Sequence, residues 1–286
     1  MTITQMAIGA VFIGGLVVVL LYWLFQIKIT TVSVKTPLAS ISDIPAKTWT
    51  ELSQKRIYFA HMSVGHDILE GVQNLVNESA QIALDIVEGK DRGSPTRPAI
   101  LHSEVGRNTE PLAKISDFKA IVREIGDRLD MAMLKFCYVD VRYGTDLSAL
   151  FNAYRLAVAE LQDAFPELQI MHMTVPLCSM PATAKSKTKF FVNQVLKRPT
   201  VLDDNVQRLR YNEMVRQEFG QTNLFDLAFV ESISPDNVQY IAKTPQDESP
   251  FLLGEYTYDG GHLNDAGKRH VGTQFLLALA KGNFSL

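Results

Sequence analysis

Near the C-terminus an acid and an imidazole stand three residues apart, as Asp259-Gly260-Gly261-His262. The glycines permit a tight bend, so the carboxylate can fold back onto His262 Nδ1 and leave Nε2 facing outward as a base. That is the orienting role of the acid in a nucleophile–base–acid triad. Taken alone, the same four residues also read as a glycine-rich turn with an incidental histidine.

A base needs a nucleophile, and "AHMSVGHDIL" offers Ser63 between an apolar run and a helical pattern. A serine in such a turn points toward the crevice, and nearby helix N–H groups favour negative charge developing beside it. An ordinary N-capping serine is the competing reading. "LHSEVGRNTEP" carries Gly106 and Asn108, a close-approaching backbone N–H and a side-chain amide, which are the parts an oxyanion hole requires. "VDVRYGTDL" brings Asp140, Arg142 and Asp146, the last equally suited to capping the helix that follows. His61, two residues before Ser63, is a candidate pocket-lining or structural side chain.

These residues need elements to position them. Short apolar runs ("RIYFA", "IALDIV", "MAMLKFCYVDV", "LQIMHMTV", "NLFDLAFV") alternate with amphipathic segments. Helices are predicted over 66–80, 111–129, 147–165, 203–219 and 265–280, with Pro111 in a first turn and Pro166 and Gly220 as stop signals. Five strands alternating with helices predict a mostly parallel five-stranded sheet covered on both faces. In such a sheet the functional crevice lies beyond the C-terminal strand ends, where every candidate residue falls.

The 286 residues are 47% hydrophobic and 21% charged with net charge −3, which suits a packed core and offers no basic field for nucleic acid. Cys137 and Cys178 are too few for a disulfide framework and read as buried free thiols. After a short tail (1–6), residues 7–27 are uncharged and long enough for a membrane-spanning helix, with a cleaved signal peptide as the alternative. Residues 28–54, rich in Thr, Ser, Pro and β-branched residues, read as a tether to a domain over 55–286. Lys28 and Lys35 follow the apolar stretch and by themselves favour a domain on the cytoplasmic side. Segments 176–200, basic around Phe190 and Phe191, and 231–258 read as insertions bordering the cleft.

Together the pieces resemble the SGNH (GDSL-like) hydrolase family over residues 55–282. "DGGHLNDAG" matches its late Asp-x-x-His followed by Asn264 and Gly267; Ser63 matches its nucleophile, and Gly106 its second-block glycine. Met62 replaces the usual aspartate, and "YGTD" lacks the asparagine of the third-block Gly-x-Asn-Asp. The resemblance implies a flavodoxin-like three-layer α/β/α sandwich and a serine esterase with Ser63, His262 and Asp259 as triad. Its oxyanion hole would comprise Ser63, Gly106 and Asn108, with no metal or cofactor needed. The implied substrate is an acylated small molecule or glycan, such as an O-acetylated carbohydrate. For a single-pass protein anchored by residues 7–27, it also implies a catalytic domain outside the cytoplasm. An O-acyltransferase on the same fold and a catalytically silent membrane-tethered binding protein are the alternatives.

Overall fold

The computed structural model describes residues 27–35, 38–89, 97–220 and 223–281. Six parallel strands form the main sheet: β2 (Arg56–His61), β3 (Ile86–Glu88), β4 (Ala99–Glu104), β5 (Met131–Leu134), β6 (Gln169–Met173) and β7 (Leu224–Phe225). Their spatial order is β3-β4-β2-β5-β6-β7. From β2 the chain runs out to β3 at the edge, returns to form β4 beside β2, then crosses over to place β5 on the other side of β2. The strand order therefore reverses at β2, and a crevice opens at the C-terminal ends of β2, β4 and β5.

Period-two alternation divides the core between the faces. Ile57, Phe59, Met131, Met133, Met171 and Met173 face one layer, packed with α2 (Val64–Glu78) and α8 (Asp265–Lys281). Tyr58, Ala60, Ala132, Leu134 and Ile170 face the other, packed with α3 (Pro111–Ile125) and α4 (Leu147–Ala164). On the first face α2 and α8 cross at Gly71 and Gly272, where a Cβ on Gly71 would run into the Lys268 carbonyl. That close crossing ties the helix that starts beyond Ser63 to the helix that starts beyond His262.

Three expectations are corrected. The sheet has six strands, not five. The missed strand is β4, whose C-terminal half (His102, Ser103, Glu104) is polar because it ends at the crevice. The presumed tether is folded: Lys28–Ser33 forms β1, antiparallel to β8 (Val238–Lys243), which pairs with β9 (Glu248–Pro250) in a second, three-stranded sheet. Beyond β1, α1 (Ala46–Leu52) buries Trp49 and Leu52 in the core, so the β-branched run reads correctly as strand rather than as linker. Finally, the described residues contain no helix long and apolar enough to cross a membrane. The expected span, residues 7–27, lies outside the described residues except for Ile27, which leads into β1. The expected spanning helix, and the single-pass localisation built on it, therefore have no spanning element in this structure.

Candidate active site

The sharp turn after β2 gives Ser63 φ 54° and ψ −115°, a conformation disfavoured for a residue with a Cβ. Strain of this kind costs about 1–3 kcal/mol and persists only where the surroundings over-determine it. Here the Ser63 carbonyl accepts from His66 N at 2.7 Å as α2 begins. Cys137 Sγ holds the Met62 carbonyl at 3.5 Å from the neighbouring strand end.

Facing Ser63 is the Asp259–His262 turn. Ser63 Oγ lies 2.6 Å from His262 Nε2, and His262 Nδ1 lies 2.6 Å from Asp259 Oδ2. An ionised carboxylate only accepts, so Nδ1 carries the proton and Nε2 is the acceptor for the serine hydroxyl. Asp259 Oδ1 accepts from the backbone N–H groups of Gly261 and His262, at 2.9 and 2.8 Å. Burial raises the Asp259 carboxyl, but the hydrogen bonds from the His262 ring and from these two amides outweigh it and hold its pKa below the usual value. Gly260 adopts φ 97°, which favours glycine, and Gly261 packs so tightly on Tyr138 that a Cβ would clash with its ring.

Three contacts outside the turn fix it, and none had a sequence signal beyond an ordinary polar residue. Thr257 Oγ1 donates to the His262 carbonyl at 2.6 Å and accepts from Gly260 N. Asp67, in the first turn of α2, accepts from Leu263 N at 3.0 Å, binding the histidine loop to the serine-bearing helix. The His262 ring lies between Tyr138, edge-on at 5.8 Å, and Tyr258, stacked at 6.0 Å.

The predicted oxyanion residues fare differently. The Gly106 N–H donates to Asp117 Oδ2 at 2.9 Å and is not free for a ligand. Gly106 is required instead by φ 57° and by its close approach to Lys114. Asn108 is exposed, and its Oδ1 accepts from Lys114 Nζ at 3.1 Å. An ammonium only donates, so this contact fixes the amide oxygen inward and leaves Nδ2 as the outward donor. Lys114 is itself fully buried and paired at 2.5 Å with buried Asp140. Asp140 also accepts from Thr109 N and Cys137 N, joining the Asn108 loop to the end of β5.

The turn directly after β5 is therefore Cys137-Tyr138-Val139-Asp140, and not Tyr143–Asp146 as expected. Asp146 caps α4 by accepting from Ala149 N. Arg142 is exposed, with its backbone N–H on Thr145 Oγ1. His61 lines no open cleft: it is fully buried, its Nε2 sharing a hydrogen bond with His102 Nδ1 at 3.0 Å. Burial, then the neighbouring His66, His102 and Lys135, push its pKa down to about 2. Among the described residues no group of His, Cys, Asp and Glu side chains could hold a metal ion.

Glu231, at the end of α7 (Leu227–Glu231), is fully buried, with Oε2 accepting from Leu177 N at 2.8 Å. Burial pushes its pKa from 4.5 up to about 8, against the Leu177 amide, Lys135 and Arg208, which pull it down. A raised acid pKa stabilises the fold below the unfolded value and loses that contribution as pH rises to the folded value. Stability should thus fall between about pH 4.5 and pH 8, by at most about 1.4 kcal/mol per pH unit. Neutral buried His61 acts oppositely, costing stability as pH drops below 6.5. Glu231→Gln should remove the alkaline slope alone, seen as urea midpoints that converge with wild type at pH 5 and exceed it at pH 8.

No protein-family description and no curated protein matches the sequence. Among solved structures the chain is similar to a lipase/acylhydrolase from Enterococcus faecalis, with 11% identity and a TM-score of 0.48, over 79% of this chain and 96% of that one. A catalytic mutant of an acetylxylan esterase from Geobacillus stearothermophilus matches with 13% identity and a TM-score of 0.41, over 79% and 94%. The periplasmic domain of a lipopolysaccharide acetyltransferase from Salmonella ser. Paratyphi A matches with 13% identity and a TM-score of 0.41, over 79% and 84%. Likenesses this distant leave the chemistry to the side chains themselves.

Proposed function

We propose that the chain is a serine esterase acting on an acyl ester. The observation that carries this is the unbroken pair of 2.6 Å hydrogen bonds from Ser63 through His262 to Asp259. Ser63 Oγ attacks the ester carbonyl carbon while its proton passes to His262 Nε2. The tetrahedral intermediate collapses, the carbon–oxygen bond to the alcohol breaks, and the imidazolium returns the proton to the departing alkoxide. Water, deprotonated by the same imidazole, then releases the acid from Ser63. The Ser63 backbone N–H and Asn108 Nδ2 are the donors for the oxyanion; Gly106 has no part in it because Asp117 holds its amide.

On the alcohol side the reading is a sugar hydroxyl. Tyr258 is 70% exposed and stacked on the catalytic imidazole, a flat face for a sugar ring at the rim of the site. An O-acetyl sugar is the smallest substrate this reading covers.

A fluorophosphonate probe tests it, because such a probe forms a bond only with a serine whose base is in place. Peptide mapping should find the label on Ser63, and pretreatment should abolish hydrolysis of p-nitrophenyl acetate. A chain that neither takes the label nor turns over the ester would sink the proposal. Release of free acetate, rather than its appearance on an added sugar, separates hydrolysis from transfer.

A further inference from the structure

Between β6 and α5 (Ala184–Val195) the chain forms a ridge at Met180, Pro181 and Ala182. On one side of it lies a cavity of about 570 Å³ lined by Asp259, Gly260, Gly261 and by both tyrosines that flank His262. On the other side lies a groove of about 550 Å³ whose walls are Ile27, Ile29, Phe190, Phe191 and Phe251, with Lys187 among them. Met180, Pro181, Ala182 and Gly254 line both spaces, so the two adjoin at the ridge.

We infer that this groove holds the acyl chain of the substrate, so that the preferred ester carries a chain well beyond acetyl. The inference rests on the serine-esterase reading, and it names the acyl group that reading leaves open. The groove does not stand alone on the surface: it adjoins the cavity beside the catalytic turn, and its walls are large apolar side chains. Ile29 is 52% exposed there, a cost in water that an apolar ligand would relieve. The aliphatic stem of Lys187 extends the apolar wall while its ammonium stays in solvent. Two elements had no assigned purpose: the β1-β8-β9 sheet, which brings Ile29 to the groove, and the Phe190–Phe191 pair of α5. Both contribute side chains to its lining.

Gly254 is the place to test it. A Cβ there meets nothing within 4 Å, so a side chain is accommodated by the fold yet occupies the junction of the two spaces. In wild type, kcat/KM for p-nitrophenyl esters should rise from acetate through butyrate to octanoate, by up to about fourfold per methylene. The octanoate-to-acetate ratio should be at least about tenfold, and Gly254→Phe should bring it close to one. In parallel, a fluorescent long-chain fatty acid is titrated into the Ser63→Ala protein, which has no turnover. It should bind, and Gly254→Phe introduced into that protein should weaken binding by at least about tenfold. A flat or falling chain-length series in a protein whose Ser63 still takes the fluorophosphonate overturns the groove and leaves the esterase standing. A ratio indifferent to Gly254→Phe does the same. If Ser63 takes no label and no ester is cleaved, the esterase reading fails, and fatty-acid binding blocked by Gly254→Phe would then support the groove by itself.

Discussion

Replacing Ser63 with alanine is expected to lower ester turnover by about 10⁴- to 10⁶-fold while the circular dichroism spectrum stays unchanged. The size of the loss follows from the geometry. Ser63 Oγ lies 2.6 Å from His262 Nε2, and an alanine removes both the nucleophile and the proton that this base accepts. His262→Ala should cost about as much, and the double variant hardly more, because nucleophile and base act as one unit. Asp259→Asn should cost about 10⁴-fold: an amide in that place no longer holds the proton on Nδ1, and the tautomer with Nε2 free is lost. Initial rates on p-nitrophenyl acetate and octanoate check all four proteins. Retention of more than about a tenth of the wild-type rate in Ser63→Ala would remove the serine from the mechanism.

The parts of this arrangement that could be read from the sequence are local. The apolar runs "RIYFA" and "LQIMHMTV" placed strands, Pro111 marked a first turn, and the Asp259–His262 spacing alone permits the fold-back that the structure shows. What escaped depends on partners far away in the chain. The pairing of β1 with β8 joins residues more than two hundred positions apart, so a β-branched run looked like linker. The Gly106 amide meets a carboxylate on the next helix, which a glycine in a loop does not announce. The run "MAMLKFCYVDV" reads as one long strand, yet β5 stops at Leu134. Buried Lys135 and Asp140 follow, and the second of these makes a turn by accepting from Cys137 N. Nothing in the helical pattern over 111–129 marks Lys114 as buried and paired with Asp140. Charges hidden by pairing are illegible in one dimension because the partner lies on another element.

That pair carries the second large effect. Lys114→Met should destabilise the protein by about 3–5 kcal/mol, since it leaves the Asp140 carboxylate buried with two amide donors and no cation. It should also lower kcat by up to about 10²-fold, because Asn108 loses the donor that fixes its oxygen and its amide can turn away from the oxyanion. The two losses separate in other variants. Asn108→Ala, at an exposed position, should reproduce the loss in kcat with little loss in urea midpoint. Adding Asp140→Asn to Lys114→Met removes the stranded charge and should recover much of the stability while the rate stays low. A cycle between Lys114→Met and Asn108→Ala then decides the matter. If the lysine acts through the amide, the double variant is no slower than Asn108→Ala alone; if the two rate losses multiply, Lys114 holds the fold and Asn108 is aimed by something else.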